Sequence, residues 1–306
     1  MNISALSSEI KNRAKLLGFS GCGFAKAAAM PEEERYLQQW LNQGKHGEMH
    51  YMSNYQQQRT DPTVLVPGAK TVISLSYNYY TEYQQAPDAP KLAMYALGAD
   101  YHEVIKRKLH ALLDQIRGLT PVGAARCFVD SAPVLERAWA QRAGVGWIGK
   151  NTLVLTKRAG SYFFLAEIIL DVELEYDSPV KDYCGNCTRC IDACPTQALS
   201  PYQMDASKCV SYLTIEYRGE EIPEAFKGKM GGYMFGCDIC QQVCPINSQA
   251  TEHQEPEFNP SKELLQMARN DWQELSEQQF RILFKNSAVK RTKFQGLKRN
   301  IDFLKD

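Results

Sequence analysis

Cys184-Gly-Asn-Cys187-Thr-Arg-Cys190-Ile-Asp-Ala-Cys194-Pro195 is the stretch from which the rest of this chain is best read. Thiols two, two and three residues apart, closed by a proline, are spaced to wrap a 4Fe–4S cubane. Three thiolates take corners of one cluster and the fourth points away to ligate another. A second copy is therefore expected, and Cys237-Asp-Ile-Cys240-Gln-Gln-Val-Cys244-Pro245 supplies three quarters of it, with Met234 where its first cysteine would stand. A thioether substitutes poorly for a thiolate on iron, and Cys209 is the other cysteine of this region. The eight thiolates divide into Cys184, Cys187, Cys190 and Cys244 for one cluster and Cys194, Cys209, Cys237 and Cys240 for the other. Paired zinc sites also use CxxC, but this order, repeated almost twice, favours two 4Fe–4S clusters.

Outward from this segment, the 306 residues suffice for about two domains. Apolar residues make up 44% and charged residues 23%, which excludes a disordered or fibrous chain. Thirty-five Lys and Arg balance thirty-five Asp and Glu, so a globally basic nucleic-acid binder is excluded and only a local basic patch is left open. No apolar run is long enough to span a bilayer, and the charged N-terminus lacks a signal-peptide core. The expectation is a cytoplasmic, monomeric protein without membrane attachment. The two remaining cysteines, Cys22 and Cys127, lie in apolar surroundings and read as core residues.

Residues 1–175 mix helix and strand. Helical spacing runs over 2–17, a second helix starts at Pro31, and another covers 101–116. Strands are expected near 19–24, 71–77 and 125–129, with a hairpin from 152–156 to 161–170. Pro133 is expected to open a helix that Gly144 closes. The fold class is therefore α+β: a mixed-sheet domain over 1–175, a ferredoxin-like two-cluster module over 176–258, and a short, basic helical tail over 259–306. Two clusters side by side conduct single electrons, so the upstream domain must supply the chemistry.

Gly144-Val-Gly146-Trp-Ile-Gly149 is formally GxGxxG, but a helix precedes it and a strand follows, the reverse of a dinucleotide site. Asp130 ends a buried strand, where it serves either as a turn-capping carboxylate or as a reacting group. His102 opens a helix and reads first as a capping or surface residue. Residues 281–306 carry eight cations against two acids, a net +6 that suits either a solvated helix face or a polyanion.

Taken together, these segments resemble epoxyqueuosine reductases. The likeness rests on Leu97-Gly-Ala-Asp-Tyr-His102, Val129-Asp-Ser-Ala-Pro-Val-Leu-Glu-Arg137, Gly146-Trp-Ile-Gly-Lys-Asn-Thr152 and the first cysteine run. It extends through Asp205-Ala-Ser-Lys-Cys-Val-Ser-Tyr-Leu-Thr-Ile-Glu216, the second cysteine run and Arg291-Thr-Lys-Phe-Gln-Gly-Leu-Lys-Arg-Asn300. It implies reduction of epoxyqueuosine to queuosine at the wobble position of tRNA, with electrons passing through both clusters to base-off cobalamin. It also implies a cobalamin-binding catalytic domain over 1–175 and an electron donor such as flavodoxin or ferredoxin. Asp130 takes the place of the family's proton donor, with its pKa raised by burial beside the corrin. The matched segments point to Arg59, Asp130, Asn151, Val154, Ser211 and Asp238 for cobalamin. For tRNA they point to Tyr217, Arg218, Lys290, Arg291, Lys293, Lys298 and Arg299. Many relatives continue into a HEAT-like helical domain. The rival readings are a plain electron carrier and a reductive dehalogenase-like enzyme.

Overall fold

The computed structural model describes residues 2–305. Its regular framework is a four-stranded sheet: β1 (Gly21–Lys26), β2 (Thr71–Asn78), β3 (Ala125–Phe128) and β4 (Phe163–Leu170), in the order β1-β2-β4-β3. All three pairings are antiparallel. Strand alternation gives the sheet two dissimilar faces. Ile73, Leu75, Ala166, Ile168 and Leu170 point to one side, where they meet α1 (Ile3–Leu16) and α2 (Tyr101–Arg117) in the main core. Val72 and Ile169 point to the other and meet Met30, Phe128 and Trp139. Trp139 belongs to α3 (Glu136–Arg142).

The helices form for local reasons. Asn2 Oδ1 accepts the Ala5 N–H at 2.8 Å, and Leu6, Ile10 and Ala14 recur four apart on the buried face of α1. Asp100 caps α2, whose Ile105, Leu109, Leu112 and Ile116 form its buried stripe.

Two sequence expectations are corrected. Residues 131–135 are not helical, and α3 begins only at Glu136, because the chain first turns back at Asp130 with a φ of +53°. The expected hairpin does not pair as drawn. Val154–Leu155 pairs with Trp147–Ile148, whereas β4 lies between β2 and β3. β4 is buried along almost its whole length, as an inner strand must be. Gly144, with φ +69°, ends α3, and a Cβ at Gly146 would strike the Leu155 carbonyl oxygen, so these glycines serve close backbone approach.

Between residues 180 and 250 the regular elements are short, some of them single turns such as Arg189–Asp192 and Ile239–Gln242. A slightly longer helix, α4 (Val210–Ile215), follows Cys209. The C-terminal segment packs inward. Trp272, Phe284, Val289, and Leu297 and Ile301 of α5 (Lys293–Phe303) share a core with Leu92, Met234 and Phe235. Met234 is fully buried there. Cys22 and Cys127 pack against the main core, and burial pushes their thiols up to about 12 and about 11.

Candidate active site and cluster module

Asp130 stands where β3 ends, in a left-handed backbone that is unusual for a residue with a side chain. Its carboxylate is half exposed and has two partners from the start of α2. The Tyr101 hydroxyl donates to Asp130 Oδ2. His102 Nε2 approaches the same oxygen at 3.3 Å. The other ring nitrogen, Nδ1, lies 2.7 Å from Asp100 Oδ1, and Lys290 Nζ reaches Asp100 Oδ2 at 3.2 Å. The result is a continuous line of charge: Lys290, Asp100, His102, Asp130.

Burial alone would depress the His102 pKa, but hydrogen bonds to Asp100 and Asp130 outweigh it and lift the imidazole to about 9. His102 is then an imidazolium at neutral pH. Burial also acts to raise Asp130, yet His102, Tyr101 and the more distant Arg291 reverse this and hold its carboxyl below the ordinary value. Among the protein's own groups Asp130 is therefore the carboxylate and His102 the acid.

Aromatic rings form the floor. Tyr101 stacks on Phe164 with centroids 4.1 Å apart, and Tyr95 contacts Tyr79, Tyr101, Phe164 and Phe235. Burial raises the Tyr95 phenol, and the charges of Asp130 and Asp238 raise it further. Tyr95 thus lies under the influence of both the catalytic-domain carboxylate and the cysteine module. Asp238, only 4% exposed, accepts the Met94 N–H at 2.7 Å, and burial lifts it to about 6.

The four cysteines expected for the first cluster lie together. Cys184, Cys187, Cys190 and Cys244 line one cavity of about 50 Å³ with Asn151, Tyr183 and Arg189. Lys150 Nζ clamps this corner by donating to the carbonyls of Gly185 and Cys187 at 2.6 and 3.0 Å. Burial raises the Cys237 thiol to about 12, with Cys209 and Cys194 among the charges that push it further. Burial likewise raises Cys240, with Cys237 and Cys209 adding to it. Among the described residues no three His, Cys, Asp or Glu side chains close on a single ion, whereas four thiols do surround one cavity, the arrangement a cubane requires.

The remaining predicted contacts are less uniform. Asn151 is 3% exposed, and its Nδ2 has no hydrogen-bond partner. Val154 is buried in the short hairpin, and Ser211 is half-buried on α4. Arg59 spends its guanidinium internally, donating to Asn54 O at 3.1 Å and Tyr51 O at 2.8 Å. Arg299 does the same for the carbonyls of Leu213, Tyr217 and Gly219 at 2.7–3.0 Å. It also lies over the Tyr217 ring. The Arg218 N–H donates to Glu48. Lys298 pairs with Asp302, Arg291 with Glu216, and Lys293 opens α5 at φ +60°. Sequence reasoning missed Tyr95, Tyr101 and Glu136, and it underrated His102. The adjacency of Asp100, Tyr101 and His102 was the available signal.

The comparisons agree with this architecture. A family model described as "4Fe-4S double cluster binding domain" matches residues 183–247, and one described as "Epoxyqueuosine reductase QueG, DUF1730" matches residues 59–131. The epoxyqueuosine reductase of Cellulophaga algicola is 52% identical over 297 residues, covering 97% of both chains. A crystal structure of epoxyqueuosine reductase with an epoxyqueuosine-modified tRNA-Tyr stem loop superposes with a TM-score of 0.89 at 30% identity, covering 99% of this chain and 81% of that one. Epoxyqueuosine reductase from Bacillus subtilis, with its aspartate-bearing catalytic loop swung out of the active site, gives 0.86 at 30% identity, covering 99% and 82%.

Proposed function

This chain belongs to the epoxyqueuosine reductase family, and from that premise we propose that it reduces epoxyqueuosine in tRNA to queuosine, with Asp130 and His102 delivering one of the two protons, to the departing oxygen. The module over 183–247 carries two 4Fe–4S clusters. Converting an epoxide to an alkene takes two electrons and two protons and releases water. One observation carries the assignment of roles. Tyr95 packs edge-on against Tyr101, which holds Asp130, while the preceding Met94 N–H donates to Asp238, the neighbour of Cys237, so the proton-bearing line and the electron-bearing module meet at one wall.

His102 holds a proton at Nε2 and faces Asp130 Oδ2. As oxygen leaves the epoxide carbon and gains negative charge, a proton passes from the imidazolium through the Asp130 carboxyl to that oxygen. Asp100, held by Lys290, keeps the ring oriented and stabilises its charged form. Tyr101 fixes the Asp130 carboxylate by its hydroxyl. The aspartate-bearing catalytic loop of the Bacillus subtilis enzyme supports this role for Asp130.

Cobalamin fits the residues around this wall. The unpartnered, buried Asn151 Nδ2 is a donor in need of an acceptor, and the amide-fringed macrocycle offers carbonyls. Asn151, Val154, Ser211 and Asp238 would hold it. Arg59 would act by fixing the 50–55 loop that its guanidinium braces. When bound, cobalamin supplies a strongly reducing cobalt centre for carbon–oxygen cleavage. Lys290, Arg291, Lys293 and Lys298, together with Tyr217 and Arg218, would form the tRNA-facing surface, with Arg299 as the clamp beneath it. An acidic one-electron donor of the flavodoxin or ferredoxin type would supply the clusters, and the protein would act as a monomer. Among the described residues no helix is long and apolar enough to cross a membrane.

The test is anaerobic turnover of epoxyqueuosine-containing tRNA with reductant, with and without cobalamin, read by nucleoside mass spectrometry. Cobalamin-dependent queuosine is the expected product. Product formed equally well without cobalamin would remove that cofactor from the mechanism, and no product from the fully loaded enzyme would overturn the reaction.

A further inference from the structure

On the sheet face opposite α1 and α2, two carboxyl groups meet where a protein interior ordinarily admits none. Glu167 of β4 is 0% exposed, and its cross-strand neighbours are Ser74 and Phe128. Ser74 Oγ reaches Glu167 Oε1 at 3.3 Å, while the Glu167 carboxyl also faces Glu136, at the first turn of α3. The other side of Glu136 bears on the active site. Its Oε1 accepts the backbone N–H of Asp130 at 2.5 Å.

We propose that Glu136 is the positioning residue of the proton-donating loop, a carboxylic acid joined to Glu167 beneath the sheet that holds the Asp130 backbone in its left-handed conformation. The inference rests on the role assigned to Asp130 above. Its physical basis is that a φ of +53° is strained for a residue with a Cβ and persists only where surrounding contacts impose it. Within this loop the Ser131 N–H goes back to Val129 O at 2.5 Å, which tightens the turn without reaching the scaffold. The Glu136 hydrogen bond ties the turn to α3, and through Glu167 to two strands. With that tie, Asp130 aims its carboxylate at Tyr101 and His102. Without it, the turn is free to relax toward ordinary φ, and the carboxylate leaves its partners.

The groups facing Glu136 come from every neighbouring element: Asp130 after β3, Glu167 on β4, Ser74 on β2 beyond it, and Arg137 on its own helix. Burial, and then the charge of Asp130, raise Glu136 to about 8, and burial raises Glu167 well above its ordinary value. The pair therefore holds at least one proton between its two carboxyls at neutral pH. Glutamine reproduces the neutral form of Glu136, since its carbonyl oxygen accepts from Asp130 and its amide donates to Glu167. Leucine keeps the bulk and removes the acceptor.

The experiment measures amide hydrogen exchange over residues 129–135 in the reconstituted holoenzyme, alongside kcat and KM. Glu136→Leu is expected to speed exchange at Asp130 and Ser131 by tenfold or more and to lower kcat by roughly 10- to 100-fold, with KM for tRNA within about twofold. Glu136→Gln is expected to restore both protection and kcat. Unchanged protection in the leucine variant, or failure of glutamine to rescue, would overturn the proposal. Fast exchange with full kcat would instead leave the positioning role intact and overturn the role of Asp130. Should the leucine variant not fold, Glu136→Ala, which admits water in place of apolar bulk, is held to the same outcomes.

Discussion

The cysteine module and the Asp130 pocket both gather groups for chemistry, but over different chain distances and with different supports. In the module the ligands follow one another along a few turns of chain, in helices as short as Arg189–Asp192 and Ile239–Gln242. The pocket draws Asp100 and His102 from one helix start, Asp130 from a strand end, Glu136 from the next helix and Lys290 from far downstream. A sheet with apolar packing on both faces holds the pocket in place. The module has little regular structure of its own, and burial raises the Cys237 and Cys240 thiols, whose thiolate form iron would stabilise. The module is thus expected to depend on its metal for order, and the pocket on its scaffold.

Removing iron is the widest test of that difference. Chelation under anaerobic conditions is expected to abolish hydrogen-exchange protection across 183–247 while β2 and β4 remain protected. Uniform loss across both regions would erase the distinction. Within the module, Cys209→Ser is expected to cut bound iron by about half, because one cubane of two loses a ligand. Iron content equal to wild type would reject Cys209 as a ligand.

Asp130→Asn should lower kcat by roughly 10²- to 10⁴-fold, because an amide cannot relay an acidic proton. Iron content and cobalamin binding should stay at wild-type levels, which separates pocket from module. Turnover at the wild-type rate would end the relay. His102 gives a finer measurement. Its folded pKa of about 9 lies above the ordinary ~6.5. Its stabilising charge is therefore complete below ~6.5 and disappears as pH rises through about 9. Once substrate is bound, kcat should fall along that upper limb, and His102→Gln should flatten the limb while lowering kcat by roughly tenfold or more. An unmoved alkaline limb in the variant would assign it to another group.

The smallest effects are expected on the basic surface. Charge reversal at Lys293, which has no ion-pair partner among the described residues, should weaken tRNA binding and reduce the salt slope by about one for each phosphate that is no longer neutralised. Reversal at Arg291, already paired with Glu216, or at Lys298, already paired with Asp302, should do less. Equal effects at all three, read by binding across a salt series, would remove the distinction between cations that reach tRNA and cations committed within the protein.

The legible and illegible parts follow the same division. The grouping of Cys184, Cys187 and Cys190 with Cys244 could be read directly, since ligand spacing reflects how short turns present sulfur atoms. The strand at Thr71–Asn78 and the helix at Tyr101–Arg117 were visible because apolar period and capping residues agree. The pairing of β4 was not visible. Its apolar run suits a hairpin or an inner strand equally, and only competition among β2, β3 and Val154–Leu155 decided it. His102 read as a cap because its identity and neighbours say nothing about a carboxylate arriving from residue 130. Arg59 and Arg299 read as ligand-binding residues, although both are spent on backbone carbonyls.

By itself the sequence determined the two-cluster module, the α+β class and the segments that carry the chemistry, because each is written in short-range spacing, periodicity or a local motif. Only the tertiary structure decided which cations are committed to internal partners, where the acidic proton rests and what holds Asp130. Those properties depend on desolvation and on charges brought together from distant positions. An aspartate that burial alone would make a stronger proton holder became a carboxylate when His102, Tyr101 and Arg291 closed around it.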